Sequence, residues 1–189
     1  LLSEKGTEQL VLNIGGICNG THLKDEEIVH SSDIGPGNCL LDATMRNFNL
    51  GKFDSDGLMA SKGNVDNILL EKLLHEIDFL TYPRADDLSL YLNLMETYKK
   101  FLAEKNPEDV LCTFVELTVR KIEEYFNFCG APAKVIFHGG GAENKYLMHR
   151  IKETIKAEIS TIDNLISSKY VESAAFAYLA FKERAVLFK

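Results

Sequence analysis

Short apolar runs bounded by glycine or charged residues open the chain, and longer apolar stripes at helical spacing follow. Leu10-Val11-Leu12 predicts a strand over Gln9–Ile14, Gly15-Gly16 turns it, and Ile17–Leu23 returns as the hairpin partner. The charged turn 24–27 then leads into a short strand at Ile28-Val29-His30. Gly35-Pro36-Gly37-Asn38 reads as a rigid turn that launches a helix, with Asn38 as its N-cap and Leu40, Leu41, Met45 and Phe48 inward. Residues 54–63 read as a loop. Val65, Ile68, Leu69, Leu73 and Leu74 then form the stripe of a surface helix, and Tyr82-Pro83 breaks the chain before a helix over 88–105.

Pro107 starts the longest predicted helix. Val110, Phe114, Leu117, Ile122, Tyr125 and Phe126 form its core face, and Glu116, Arg120, Lys121 and Glu123 its wet face. Gly130 and Pro132 end it. A buried strand over Lys134–Phe137, the glycines 139–141, a helix over 143–156, a strand near 159–162 and a last helix over 170–188 complete the pattern. Strands at both ends with helices between them define an α/β class with a mixed sheet flanked by helices.

Chemistry concentrates at three places. Gly15-Gly16 and Gly139-Gly140-Gly141 each follow a strand, where a turn without side chains lets backbone N–H groups approach an anion. Either turn also reads as a tight turn and nothing more, since no Lys-Ser/Thr of a phosphate-binding loop follows. In the third, Asp33 stands before Gly35-Pro36-Gly37-Asn38, and it reads either as a turn residue or as a carboxylate placed for chemistry. His138 reads as a strand-end residue, and Asn144 as a cap or a nucleotide contact.

Composition narrows the partners. The 189 residues carry a net charge of −7 and are 46% hydrophobic, enough for a core in one domain and against a general nucleic-acid binder. No run approaches the roughly 18 apolar residues of a membrane span, so the expectation is a soluble, cytoplasmic protein. Cys18, Cys39, Cys112 and Cys129 show no metal-ligand spacing and read as reduced, partly buried thiols, with no metal site expected.

Leu12-Asn13-Ile14-Gly15-Gly16-Ile17, Asn19, Asp33-Ile34-Gly35-Pro36-Gly37-Asn38 and Asp54-Ser55-Asp56-Gly57 resemble the anhydro-N-acetylmuramic acid kinase family. The resemblance continues through Thr113, Glu116-Leu117-Thr118, Gly139-Gly140-Gly141-Ala142 with Asn144, and Glu172 with Ala175-Phe176-Ala177. It implies one lobe of the ribonuclease H-like, actin-like ATPase fold, the C-terminal lobe of a two-lobed sugar kinase. The family's N-terminal lobe, with its Ser-Gly-Thr-Ser-Leu-Asp-Gly phosphate loop, has no counterpart in these residues. The implied reaction uses ATP and Mg2+ to phosphorylate 1,6-anhydro-N-acetylmuramic acid with hydrolytic opening of the anhydro bridge. Asp33 falls at the family's catalytic carboxylate. Asn13, Asn19, Gly35, Asn38 and Glu172 would then meet the sugar, and Gly15, Gly16, Gly139, Gly140, Gly141 and Asn144 the nucleotide.

One stretch departs from the family. Its Pro-Lys-Ser-Thr-Gly-Arg-Glu loop is here Pro83-Arg84-Ala85-Asp86-Asp87-Leu88-Ser89, where two acids replace small polar residues, and the expectation is weakened sugar binding or contacts supplied by a partner. The loop over 163–172 also lacks the family's glycine. Two readings stay open: a split or truncated kinase working with a separate N-terminal lobe or as a homodimer, and a non-catalytic sugar- or nucleotide-binding remnant.

Overall fold

A hairpin pairs on one side with a strand that arrives more than a hundred residues later, and that closure organises the sheet. The computed structural model describes residues 5–78, 81–162 and Ala177, and every structural statement here concerns these. β1 (Glu8–Ile14) runs antiparallel to β2 (Ile17–Lys24), and β2 antiparallel to β3 (Glu27–Pro36). On its other side β1 lies parallel to β4 (Lys134–His138), itself parallel to β5 (Glu158–Thr161), in the order β3-β2-β1-β4-β5. Leu10, Leu12 and Ile14 are fully buried.

Six helices are described: α1 (Cys39–Asn47), α2 (Asn67–Ile77), α3 (Leu88–Thr97), α4 (Lys99–Ala103), α5 (Pro107–Phe128) and α6 (Lys145–Thr154). None is long and apolar enough to cross a membrane. The α5 helix starts where expected because Asn106 caps it, its Oδ1 accepting from Glu108 N at 3.0 Å, with Pro107 in the first turn. It lies across one sheet face. The Tyr125 hydroxyl donates to Gly20 O at 3.1 Å and Thr118 Oγ1 to Pro36 O at 2.9 Å.

Five expectations need correction. The third strand reaches Pro36, so Asp33-Ile34-Gly35-Pro36 is strand and not turn. Pro36 is tolerated because it ends a strand at the sheet edge, where no ladder donor is needed. Asn38 occupies the cap position of α1 in helical conformation without capping it, and its Nδ2 donates to Ile14 O at 3.3 Å. On α5, Glu116 and Lys121 are buried, not wet. A helix packed on a sheet and also on α6 hides more than one stripe: Glu116 joins Arg120 and Arg150, while Lys121 runs past Gly35 to Glu124. Finally, the 88–105 helix divides at Tyr98, and Gly140–Glu143 forms a 3-10 turn before α6. The expected 170–188 helix, the 163–172 loop and Glu172 lie outside the described residues, apart from the helical Ala177.

Candidate active site

Because β1 and β4 are parallel, both glycine turns emerge at the same end of the sheet, with Asn13 opposite His138. The glycines there do different jobs. Gly139 has φ +84°, and a Cβ on it would stand 2.2 Å from Asn13 Oδ1. One on Gly141 would meet Ile14 Cγ2 at 2.1 Å, so both positions need glycine for packing. Gly140 is free of either constraint. Its nearest neighbour would be Asn38 Nδ2 at 3.8 Å, and it faces a cavity of ≈ 310 Å³ that also exposes Leu41, Asp42, Phe53 and Asn144.

The hairpin tip is oriented by α1. Gly16 O accepts from Gly37 N (3.0 Å) and Cys39 N (3.1 Å), and Gly15 O from Asn38 N (2.8 Å). The tip's carbonyls therefore turn inward, and what it retains for an anion is N–H. Asn144 proves to be a cap, its Oδ1 accepting from Leu147 N at 3.0 Å, while its residue also lines the cavity. Burial pushes the Asp42 carboxyl up, with Arg46 opposing.

At the other side, β2 and β3 pair with a register shift between Cys18 and Asn19: Cys18 faces Gly35, but Asn19 faces Asp33. Ile34 is the extra residue, and it is buried. Without that bulge Asn19 would oppose Ile34, and the acid would turn toward α5. With it, the directly paired His138, Asn13, Asn19 and Asp33 form a half-buried polar row across four strands. The row joins the glycine turns to the acid. Gly35 is not part of it: a side chain there would press on Lys121 at 3.1 Å.

Asp33 is held by the segment expected to weaken the site. Its Oδ2 accepts from Asp86 N at 2.7 Å, its N donates to Arg84 O at 2.9 Å, and its O accepts from Ser32 Oγ at 2.7 Å. Ser32 Oγ in turn accepts from Arg84 N at 2.9 Å. Arg84 Nε donates to both Asp86 oxygens (2.9 and 3.2 Å), the Tyr91 hydroxyl donates to Asp86, and Arg84 lies 4.7 Å over the Tyr82 ring. Burial alone would lower the Arg84 pKa, but the hydrogen bond to Asp86 and the charges of Tyr82, Asp86 and Tyr91 together outweigh it, and the guanidinium is held above its ordinary value. The pair is buried, with side chains 8% and 2% exposed. Asp87 is equally occupied, accepting from Ser89 N at 2.7 Å as the cap of α3. Both acids are thus engaged locally, Asp86 with Arg84 and Tyr91 and Asp87 with the start of α3. The sequence marked Arg84 and Asp86 only as a departure from the family; their pairing around Asp33, and the part of Tyr91, went unnoticed, with the Arg-x-Asp spacing as the one hint.

Asn19, Asp33 and Arg84 line a second cavity of ≈ 280 Å³ beside this clamp. All four thiols are free and buried, and burial raises their pKa, so none is poised as a nucleophile.

The hairpin-first mixed sheet and its late strand–glycine–helix unit define a lobe of the actin-like ATPase fold. An activator of 2-hydroxyisocaproyl-CoA dehydratase from Clostridium difficile, solved with bound ADPNP, matches the whole chain and 66% of its own at a TM-score of 0.56 and 10% identity. Component A of the Acidaminococcus fermentans (R)-2-hydroxyglutaryl-CoA dehydratase matches at 0.51 and 14%, over 80% of this chain and 54% of its own. Both likenesses are of fold alone. The family is defined by sequence: the anhydro-N-acetylmuramic acid kinase model matches residues 1–187, and the chain belongs to that family. Anhydro-N-acetylmuramic acid kinases of Gamma-proteobacterium EBAC31A08 and Haemophilus influenzae are each 37% identical, over 92% and 90% of this chain. That of Pseudomonas savastanoi is 36% identical over 95%. The chain spans about half the length of these relatives, 48%, 49% and 51%.

Proposed function

We propose that this chain is the acid-bearing lobe of an ATP-dependent kinase that converts 1,6-anhydro-N-acetylmuramic acid to N-acetylmuramic acid 6-phosphate. The observation that carries the reading is the row from the glycine turns through Asn13 and Asn19 to Asp33. It lines up a place for phosphates, polar groups for a sugar and a carboxylate for a water.

In the reaction, water attacks the anomeric carbon while its proton passes to Asp33. The bond from that carbon to the bridging oxygen breaks, and the released O6 takes the γ-phosphoryl group of ATP. The Asp86 N–H engages Oδ2, leaving Oδ1 for the water. A carboxylate fixed in this way acts by positioning as much as by basicity. Gly140 and the N–H groups of Gly15 and Gly16 suit close approach to the nucleotide. Asn38, whose Nδ2 lies beside Gly140, would contact the sugar.

The cleft also suits magnesium, a hard cation that takes oxygen ligands and keeps several waters. Asp54 spends both oxygens on Met59 N and Ala60 N, and Asp56 pairs with Lys145. Asp42 and Glu143 remain as hard donors beside the cavity, and most ligands would come from phosphates and water. Bound there, the ion would neutralise phosphate charge.

Two-lobed kinases clamp the γ-phosphate from both sides, so the isolated chain should not turn over. Purified chain with ATP, magnesium and the anhydro sugar should yield no sugar phosphate, and adding the complementary half of a relative should restore it. Turnover by the chain alone overturns the need for a second lobe. Silence of the reconstituted pair, with nucleotide still bound, favours the non-catalytic remnant.

A further inference from the structure

On the α5 side of the sheet, well away from the polar row, His22 and His30 are cross-strand partners on β2 and β3, and Cys129 closes the end of α5 beneath them. One ligand atom from each lies within 4.8 Å of the other two, and Cys129 Sγ to His30 Nε2 is 3.5 Å. His22 is 6% exposed. Its Nε2 faces Glu8 Oε1 at 2.9 Å, and its Nδ1, also buried, has no hydrogen-bond partner.

A carboxylate on one ring nitrogen fixes the tautomer that leaves a lone pair on the other, the arrangement found behind metal-bound histidines. Packing explains the ring of His30, which meets Tyr125 and Phe128 edge-on at 5.7 and 5.2 Å, but not the orphaned nitrogen of His22. We propose that His22 Nδ1, His30 and Cys129 bind a zinc-type divalent ion, with water as the fourth ligand.

Two imidazoles and one thiolate are a donor set zinc accepts. Bonds of about 2.0–2.3 Å put tetrahedral ligand atoms roughly 3.3–3.8 Å apart, so the Cys129–His30 spacing of 3.5 Å already fits, and the His22 ring must draw in from within 4.8 Å. Binding replaces the S–H bond of Cys129 with a metal–sulfur bond and releases one proton to water. The ion would clasp the β2–β3 hairpin to the end of α5. This site does not depend on the kinase reading.

Chelator-stripped full chain should take up one equivalent of Zn2+ at micromolar or tighter affinity, with a rise in Tm. Co2+ in its place should give a near-ultraviolet sulfur-to-metal charge-transfer band. Cys129→Ser should abolish that band, and His30→Gln should weaken Zn2+ binding at least tenfold. Glu8→Gln keeps all three ligands and should weaken it about 10–100-fold, a readout that survives if the cysteine variant fails to fold. Uptake well below one equivalent, or Zn2+ affinity unchanged in Glu8→Gln and Cys129→Ser, overturns the site.

Discussion

The two ends of the polar row are built from different materials. At the glycine end, where we propose the nucleotide binds, the fold offers backbone and empty space: inward-turned carbonyls at Gly15 and Gly16, and Gly140 with nothing closer than 3.8 Å to where a side chain would begin. At the acid end it offers side chains locked together, with Arg84, Asp86, Tyr91 and Ser32 all engaged around Asp33. A phosphate is recognised well by N–H groups that any residue supplies, so there the need is for room. A base, the role proposed for Asp33, must be held within a fraction of an ångström, and a rigid shell serves that need. Substitutions should accordingly fail in different ways at the two ends.

The largest effect belongs to Asp33. In the assembled enzyme, Asp33→Asn preserves the acceptor for Asp86 N but removes the base, and turnover should fall roughly 10²–10⁴-fold while the KM for ATP stays within about twofold. An equal loss of ATP affinity would move Asp33 to the nucleotide end.

Next comes the clamp. Arg84→Met strands the buried Asp86 carboxylate, and breaking a buried pair costs about 3–5 kcal/mol, to be read by denaturant unfolding. The double variant Arg84→Met/Asp86→Leu should recover part of that loss. In folded molecules of either, kcat should fall more than KM for the sugar rises, since the N–H anchor of Asp33 is displaced; stability loss with intact kcat would make the clamp purely structural.

Glycine substitutions sharpen the contrast at the other end. Gly141→Ala drives a methyl into Ile14 and should cost about 1–3 kcal/mol with nucleotide binding per folded molecule unchanged. Gly140→Val should cost under about 1 kcal/mol yet weaken nucleotide binding at least tenfold. Equal behaviour of the two variants would erase the distinction between packing and ligand glycines.

The smallest effect serves as a reference remote from both ends. Asp66 caps α2, its Oδ1 accepting from Ile68 N and Leu69 N at 3.1 Å, and Lys105 Nζ donates to its other oxygen at 2.7 Å. The Lys105 hydrogen bond, then the helix amides, hold this carboxyl below its ordinary value of 3.8. A lowered carboxylate stabilises the fold above its unfolded pKa and ceases to as pH drops through the folded one. Asp66→Ala should therefore lower stability by about 1 kcal/mol between pH 5 and 8, and the gap to the parent should close as pH falls below about 3.8.

The architecture was legible where a single element's own pattern decides it. Leu10, Leu12 and Gly15-Gly16 announce the first hairpin, Pro107 starts α5, and Gly139–Gly141 marks the turn beside β1. Misreadings arose where a partner decides. Nothing within Ser31–Gly35 says that Ile34 is the extra residue, because a bulge exists only relative to the strand opposite. Glu116 and Lys121 look wet on a helical wheel until α6 and Gly35 arrive from elsewhere in the chain. The bonds that tie Arg84 and Asp86 to Ser32 and Asp33 join residues about fifty positions apart in sequence, and that contact became evident only with the fold. The catalytic candidate itself was visible from the family motif, and the residues that hold it were not.

The segment from Pro83 to Asp86 has a second consequence. By pairing Arg84 with Ser32 and Asp33 it covers part of β3, the outermost strand on that side of the sheet. Uncovered outer strands are templates for chain-to-chain pairing. The residues that hold Asp33 thereby also occupy part of that edge, so variants that loosen this segment should lose solubility, to be read by light scattering. Selection for either role would preserve the other.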